Sequence, residues 1–523
     1  MASFTHFTAK YNDWGQYPFN HTSASTYGEI ALRQHRERLW EYRGRLFVPG
    51  KESALPVRDI SASGNVSKVN IRGNDELGNF LHRGTTEAIT DGSEGNGSMS
   101  CKKDEKCRFV FLCAESAVGP LELSATMLLR LLSFYQVMPH YLDFLYVYAS
   151  PHGKDRELHF SGFRTEKALI NPPLGTDIPE LGRSGRKYQL CYNLKTAASK
   201  EDGTWKIRQA AIHHQFDVGQ GIQLWLVGDP HAAIKDRIGE LYPEQNIYPT
   251  SFSTMGQSFK SSMEIHLVYA RWATSEWRWN VKFLEDVAQD LTLTAALVKE
   301  KSHIESLDPG SLGGVQRWEE KTNDTIMAME SNVSIMALLQ RFYKGLVRDD
   351  DFPAKERQFC LRAVKDFSFQ LEELTCETQM QISRAKVLVK IVADRKTILI
   401  QHLQTQSALI SSKLTASMYE QADRSAMEAI AVRIVTIVTL IYLPATFSST
   451  FFSTDVVKYQ DGEKFSWLAL ARFLQVTLPL MFFTFVPAGL WFWLESRRRS
   501  KKSHETKNYF GDFFLPKSES SSQ

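Results

Sequence analysis

The sequence predicts an α+β membrane protein with an N-terminal cytosolic α/β domain, a long helical stalk and two C-terminal transmembrane helices. Three observations predict it. Two charge-free apolar runs lie near the C-terminus. A stretch of 90 residues from Ala354 to Leu443 holds neither proline nor glycine. Short β-like runs separated by polar turns fill residues 107–230.

The first apolar run, Ile434 to Thr454, has 21 uncharged residues between Arg433 and Asp455; the second, Phe473 to Leu494, has 22 between Arg472 and Glu495. At about 1.5 Å of rise per residue each covers about 30 Å, the thickness of the hydrocarbon core. Arg497, Arg498, Arg499, Lys501 and Lys502 follow the second run, whereas the 455–472 loop mixes both signs. Basic flanks mark the cytoplasmic side, so both termini are expected in the cytosol, at the plasma membrane, with 455–472 outside. Trp491 and Trp493 suit the inner aromatic belt.

The rest of the chain is ordinary in composition. Charged residues are 23%, the formal net charge is +3 and the mean hydropathy is −0.29. That excludes helices spanning a membrane from end to end and gives no general case for nucleic acid. The N-terminus lacks the basic flank and apolar core of a signal peptide. Six cysteines include no CxxC pair, and Cys101 and Cys107 lack a zinc-site spacing, so reduced thiols are expected.

Upstream of the first span, Leu388, Val392, Leu399, Leu403, Ile410 and Leu414 repeat with an 11-residue period. Such a stripe stays in register on a straight or slightly right-handed helix, as an oligomer seam or coiled coil, or as a helix packed on its own domain. Two more helices are expected around 283–301 and 315–347, with 308–314 a loop between them. In the α/β region, CRFVFLC and FLYVYAS are expected strands, residues 121–135 a helix, ELHFSGF a further β-like run, and KYQLCYNL, WKIRQAAIHHQFD and IQLWLVGD an antiparallel meander. Residues 93–98 form a loop, 28–42 have helical character, and the tail 503–523 is expected to be disordered. The domains are therefore 1–104 (helical or loop extension), 105–280 (α/β), 281–353 (antiparallel helices), 354–433 (stalk), 434–454 and 473–494 (spans), and 495–523 (basic tail).

No Walker loop, dinucleotide fingerprint, GxSxG or HExxH occurs, so neither an enzyme nor a cofactor is expected. His213 and His214 are adjacent on a strand and point to opposite faces, which argues against a shared metal. In the first span, Thr439, Thr446, Thr450 and Ser453 fall at steps of seven, four and three, on one helical face. Such a stripe can line a wet path or mediate helix packing.

The order of parts, with the stretch 423–455 (DRSAMEAIAVRIVTIVTLIYLPATFSSTFFSTD) and ESAVGPLELSATMLLRLLSFYQVMPHYLDFLYVYAS, resembles the CorA-type magnesium transporter superfamily, in particular its divergent fungal CorA-like members. The likeness is strongest over roughly the last 140 residues and looser over 105–280. Leu443-Pro444-x-Thr446 is similar to that family's proline–threonine step. The family's Gly-Met-Asn signature then falls on Ser453, Thr454 and Asp455. The resemblance implies a homopentamer in lipid that conducts Mg²⁺ or another divalent cation. Leu443 and Thr446 would line the pore, Val432 and Val435 would form a cytosolic-side constriction, and Asp455 would sit as the metal-facing residue at the outer mouth. It also tips the hydroxyl stripe of residues 439–453 towards a pore. The departure from Gly-Met-Asn keeps a second reading open, a non-conducting membrane-anchored sensor or scaffold derived from such a transporter.

Overall fold

The computed structural model describes residues 2–48, 53–81, 103–114, 119–149, 158–230, 233–243, 251–297, 310–453 and 467–514. Residues 1–404 form one compact unit and 405–523 a second.

The first unit is built on a sheet of seven strands. These are β1 (Leu55–Ile60), β2 (Val66–Ile71), β3 (Cys107–Ala114), β4 (Phe163–Ala168), β7 (Lys187–Ser199), β8 (Trp205–Asp217) and β9 (Ile222–Pro230), in the order β2-β1-β3-β9-β8-β7-β4. A separate pair, β5 (Asp177–Ile178) and β6 (Arg183–Ser184), lies outside this sheet. β7, β8 and β9 form the expected antiparallel meander, with Cys191 opposite His213 and His214 opposite Trp225. Only β3 and β9 run parallel, Arg108 opposite Leu224. β1 and β2 belong to the stretch read as helical or loop; β2 alternates weakly because it is an edge strand whose outer face stays in water.

Period-two alternation assigns the two faces of the sheet. Phe109, Phe111, Tyr188, Leu190, Tyr192, Ile212, Phe216, Trp225 and Val227 face one core. Helices α8 (Met255–Thr274), α10 (Gly310–Arg348) and the start of α11 (Arg357–Ser453) cover that core with Phe259, Met263, Leu339, Tyr343 and Phe367. Val110, Leu112, Cys191, Ala211, Leu224 and Leu226 face the other, under α1 (Ala2–Asn12), α3 (Glu29–Leu46), α5 (Ala125–Tyr135) and α6 (Tyr141–Leu145). Shorter helices complete this unit: α2 (Ala24–Tyr27), α4 (Gly73–Leu81) and α7 (Ala233–Leu241). Both faces are thus covered, which is why β7 is buried along nearly its whole length, its polar Gln189, Asn193, Lys195 and Thr196 included. Ser124 caps α5 by accepting from the Met127 amide (3.3 Å), and Thr254 caps α8 through the Gln257 amide (3.2 Å).

FLYVYAS is not a strand. It forms the end of α6 and a 3₁₀ turn, Tyr146–Ala149, and every residue from Phe144 to Ala149 is buried. A short apolar run buried on all sides has no periodicity to tell helix from strand. Tyrosines tie this stretch to the sheet, Tyr141 Oη donating to Ala211 O (3.3 Å) and Tyr148 Oη to Gly228 O (2.8 Å). The ELHFSGF run enters a strand only from Phe163.

Helices α9 (Trp277–Leu297) and α10 pack with α11. The glycines of the expected 308–314 loop open α10 instead, because Leu312 reaches the same apolar cluster as Val315 and Trp318. On α11, Leu388, Val392 and Leu399 are buried against Leu284, Ala288 and Trp318, and Leu403 packs beside them. Trp318 Nε1 donates to Leu284 O (2.8 Å), and Lys396 pairs with Glu319 (2.8 Å). The first half of the 11-residue stripe therefore packs on its own domain, while Ile410 and Leu414, in the second unit, are exposed. Trp318→Ala should cost about 3–5 kcal/mol of stability, the range for emptying a buried aromatic site, measured by denaturant unfolding of the solubilised chain.

In the second unit, α11 continues without a break to Ser453, and α12 runs from Trp467 to Phe514. Helix thus extends into the tail expected to be disordered. Between Leu494 and Phe510 no glycine or proline interrupts it, and Pro516 lies just beyond its end.

Candidate functional site

Among the described residues two helices are long and apolar enough to cross a membrane, α11 within Ala354–Phe451 and Leu470–Trp491 of α12. Pro444 lies inside α11 and cannot donate the backbone bond that Leu440 O would normally accept; membrane helices tolerate this where neighbouring groups re-satisfy the backbone. Close by, Thr446 Oγ1 donates to Tyr442 O (2.9 Å) and Leu443 O (3.0 Å).

The hydroxyls of this span are disposed in two ways. Thr436, Thr439 and Thr450 each donate to the carbonyl four residues back, at 2.7, 2.8 and 2.8 Å. With the proton committed to the backbone, each Oγ1 presents only acceptor lone pairs outward. Thr439, Thr446, Thr450 and Ser453 are exposed, and so are Val432, Val435 and Leu443. Ser448 lies about two and a half turns from Thr439, on the opposite side of the helix, and is buried, as is Pro444 one turn before it. Thr477 of α12 is buried too; neither the Ser448 nor the Thr477 hydroxyl has a hydrogen-bond partner among the described residues. Val435, Thr439 and Leu443 line one groove of ≈ 280 Å³ with Pro444 and, from α12, Thr484. Thr454 and Asp455 lie outside the described residues.

Sequence reading singled out the exposed stripe but not the buried Ser448 and Thr477. Ser448 was visible as one hydroxyl among many; nothing local marked it as different. On α12, Phe482, Phe483 and Trp491 are exposed, and the Arg497 guanidinium lies 4.0 Å from the Trp493 ring centre. That is an arrangement suited to an interface between hydrocarbon and water.

In the first unit, His213 and His214 do point to opposite faces. His213 Nε2 meets Gln189 Oε1 (3.0 Å) and its ring packs on Tyr141. His214 stacks on Trp225 at 3.8 Å and meets Tyr343 Oη (3.3 Å); Tyr343 Oη also meets His266 Nε2 (2.7 Å), and His266 Nδ1 meets Tyr192 Oη (2.7 Å). Burial pushes His213 and His266 down to about 3 and His214 well below its ordinary range. All three are held neutral by burial; His214 and His266 tie α8 and α10 to the sheet, and His213 packs under α6 on its other face. No group of three or more His, Cys, Asp or Glu among the described residues is placed to hold a metal ion. The described cysteines, Cys107, Cys113, Cys191, Cys360 and Cys376, are free thiols; Cys101 lies outside the described residues.

A family model described as CorA-like transporters matches residues 9–296, more than half of the chain. The chain belongs to the CorA-like transporters. The match lies wholly within the first unit, upstream of both spans, although the likeness noted from sequence was strongest near the C-terminus. Membrane spans admit few residue types and so carry little family-specific pattern, and this chain's Ser-Thr-Asp removes the signature that the spans do carry. No curated protein matches the chain. Among solved structures, one described as the structure of the full-length CmaX protein is 12% identical. It covers 84% of this chain and 99% of its own, with a TM-score of 0.34, a superposition too loose to argue from. Membership of this CorA-like family, with the two apolar helices among the described residues, supports an integral membrane protein with about two spans. It also places the chain among transporters rather than enzymes and supports a divalent-cation transporter in general.

Proposed function

We propose that this CorA-like chain conducts a divalent cation of the Mg²⁺ class as a homo-oligomer, a pentamer, with its first span around the path. In this reading Val432 and Val435 form the cytosolic-side constriction, Thr439, Leu443, Thr446 and Thr450 line the path, and Ser453, Thr454 and Asp455 stand at the outer mouth. The basic flank after the second span puts both termini in the cytosol. The observation that supports the reading is the exposed hydroxyl face of α11, whose protons are committed to the helix and whose oxygens are left as acceptors. Hard, hydrated cations take oxygen ligands, and Mg²⁺ keeps most of its waters, so a ring of neutral oxygens suits a partly hydrated ion. A ring of Asp455 carboxylates would concentrate cations before entry.

Ser-Thr-Asp in place of Gly-Met-Asn favours the second reading, a non-conducting sensor or scaffold. Flux into proteoliposomes separates the two. Conduction predicts Mg²⁺ uptake that falls at least about tenfold in Asp455→Ala, equivalent to about 1.4 kcal/mol in the barrier. No movement of Mg²⁺, Co²⁺, Ni²⁺ or Zn²⁺, with Asp455→Ala indistinguishable from the parent, selects the scaffold.

A further inference from the structure

At one end of the sheet, where β3 and β9 begin and β8 ends, Arg108, Tyr135, Arg183, Lys187, Gln215 and Asp217 line a cavity of ≈ 40 Å³. That is room for about three waters, at about 10–15 Å³ each, or for one small polar group.

A count of donors and acceptors around this cavity does not balance. Asp104, Glu105 and Asp217 line it and Asp59 lies beside Arg108; each of these carboxylates already has a partner. Asp217 accepts from the Ser184 amide (2.7 Å) and hydroxyl (2.6 Å) and from the Gly219 and Gln220 amides (2.9 Å each). Asp104 takes Arg183 Nε (2.6 Å), and Asp59 takes Arg108 Nε and Nη2 (2.6 Å each). Three of the four bonds to Asp217 fall on Oδ1 and one on Oδ2.

The donors are not all used. The Arg183 side chain is only 10% exposed; its Nη1 donates to Phe134 O (2.9 Å), but its buried Nη2 has no hydrogen-bond partner. Lys187 Nζ donates two long bonds, to Gln136 O (3.3 Å) and Gln215 Oε1 (3.4 Å), which leaves its third proton without an acceptor among the described residues. Tyr135 Oη accepts from Arg108 Nη1, which leaves its own proton to donate. Burial pushes the Lys187 ammonium down to about 8, against the opposing pull of Glu166 and Asp217.

We propose that this cavity binds one small oxyanion, a carboxylate or phosphate group, through Arg183 Nη2, Lys187 Nζ and the Tyr135 hydroxyl. A two- or three-oxygen anion supplies acceptors to all three donors at once, whereas water must also place its own protons. The site stands apart from the transmembrane face, and it holds whether or not the chain conducts.

The test is calorimetric titration of the full-length chain in detergent micelles, in chloride buffer, with inorganic phosphate in one arm and acetate in the other. The proposal predicts saturable binding of one anion per chain, and the preferred arm tells a phosphate-type from a carboxylate-type ligand. Lys187→Met and Tyr135→Phe should each weaken it about tenfold or more, the range for one hydrogen bond to a charged group. Circular dichroism in anion-free buffer, with melting like the parent's, shows that each variant is folded; Tyr135→Phe removes a single oxygen and keeps the ring. No saturable heat from either anion overturns the proposal, and so does affinity unchanged in both folded variants.

Discussion

Lowering the pH from 7 to about 4.5 should unfold the sheet-containing unit of this chain. Four buried histidines set the direction. His213 and His266 titrate at about 3 in the fold, His21 at about 4, and His214 well below its ordinary value, in each case chiefly because burial disfavours the imidazolium. In the unfolded chain each returns to about 6.5. Below that pH the unfolded state binds more protons than the folded one, so stability present above about 6.5 is lost as pH falls towards the folded values. Each histidine contributes about 1.4 kcal/mol per pH unit in that window, so four of them over two units outweigh a typical domain stability of about 5–15 kcal/mol or consume most of it. Thermal midpoints followed by circular dichroism should drop steeply between pH 6.5 and 4.5. Replacing His213 by Gln should make the fall shallower by one proton. A midpoint flat over that range contradicts the account of these rings as neutral core groups.

Replacing Thr446 by Val should cut cation flux at least about tenfold, with the protein still assembled and folded. The exchange keeps the branched shape and removes one oxygen from each copy. In an isolated helix it is nearly silent, because the Thr446 hydroxyl bonds only to its own backbone, at Tyr442 O and Leu443 O. Around a shared axis it removes a whole ring of acceptors at one level of the path. The matching control is Ser448→Ala, on the buried side of the same helix, which should leave flux near the parent value. Equal losses in both variants would assign the effect to helix packing.

What was legible in the sequence follows the range of the forces involved. The two spans are set by local chemistry, since a charge-free run of some 21 residues has few other homes. The β7–β9 meander showed because its strands alternate between two apolar cores, Leu190 and Tyr192 one way and Cys191 the other. The 141–149 stretch did not, because contacts with distant strands decide its form, Tyr148 reaching Gly228. β2 was missed because an edge strand with a wet face carries little pattern, and β1 because the buried Arg58 and Asp59 interrupt its apolar run. The hydroxyl stripe was readable from spacing; its division into an exposed Thr446 and Thr450 and a buried Ser448 was not, since burial depends on where α11 sits within its own unit. The Arg183 and Lys187 cavity was invisible for the same reason. Its lining comes from β3, α5, β5, β6, β7, β8 and β9, and no sequence window holds more than two of its cations.

The central claim is that the exposed hydroxyl face of α11 borders water inside an assembled membrane protein. Single cysteines at Thr446, Thr450 and Ser448, placed in a chain whose exposed Cys376 is replaced by Ser, test it with a membrane-impermeant thiol reagent in proteoliposomes. Labelling of Thr446→Cys and Thr450→Cys well above the parent, slowed by added Mg²⁺ and absent from Ser448→Cys, is the predicted result. Protection of both threonine positions, or equal labelling at Ser448, contradicts it.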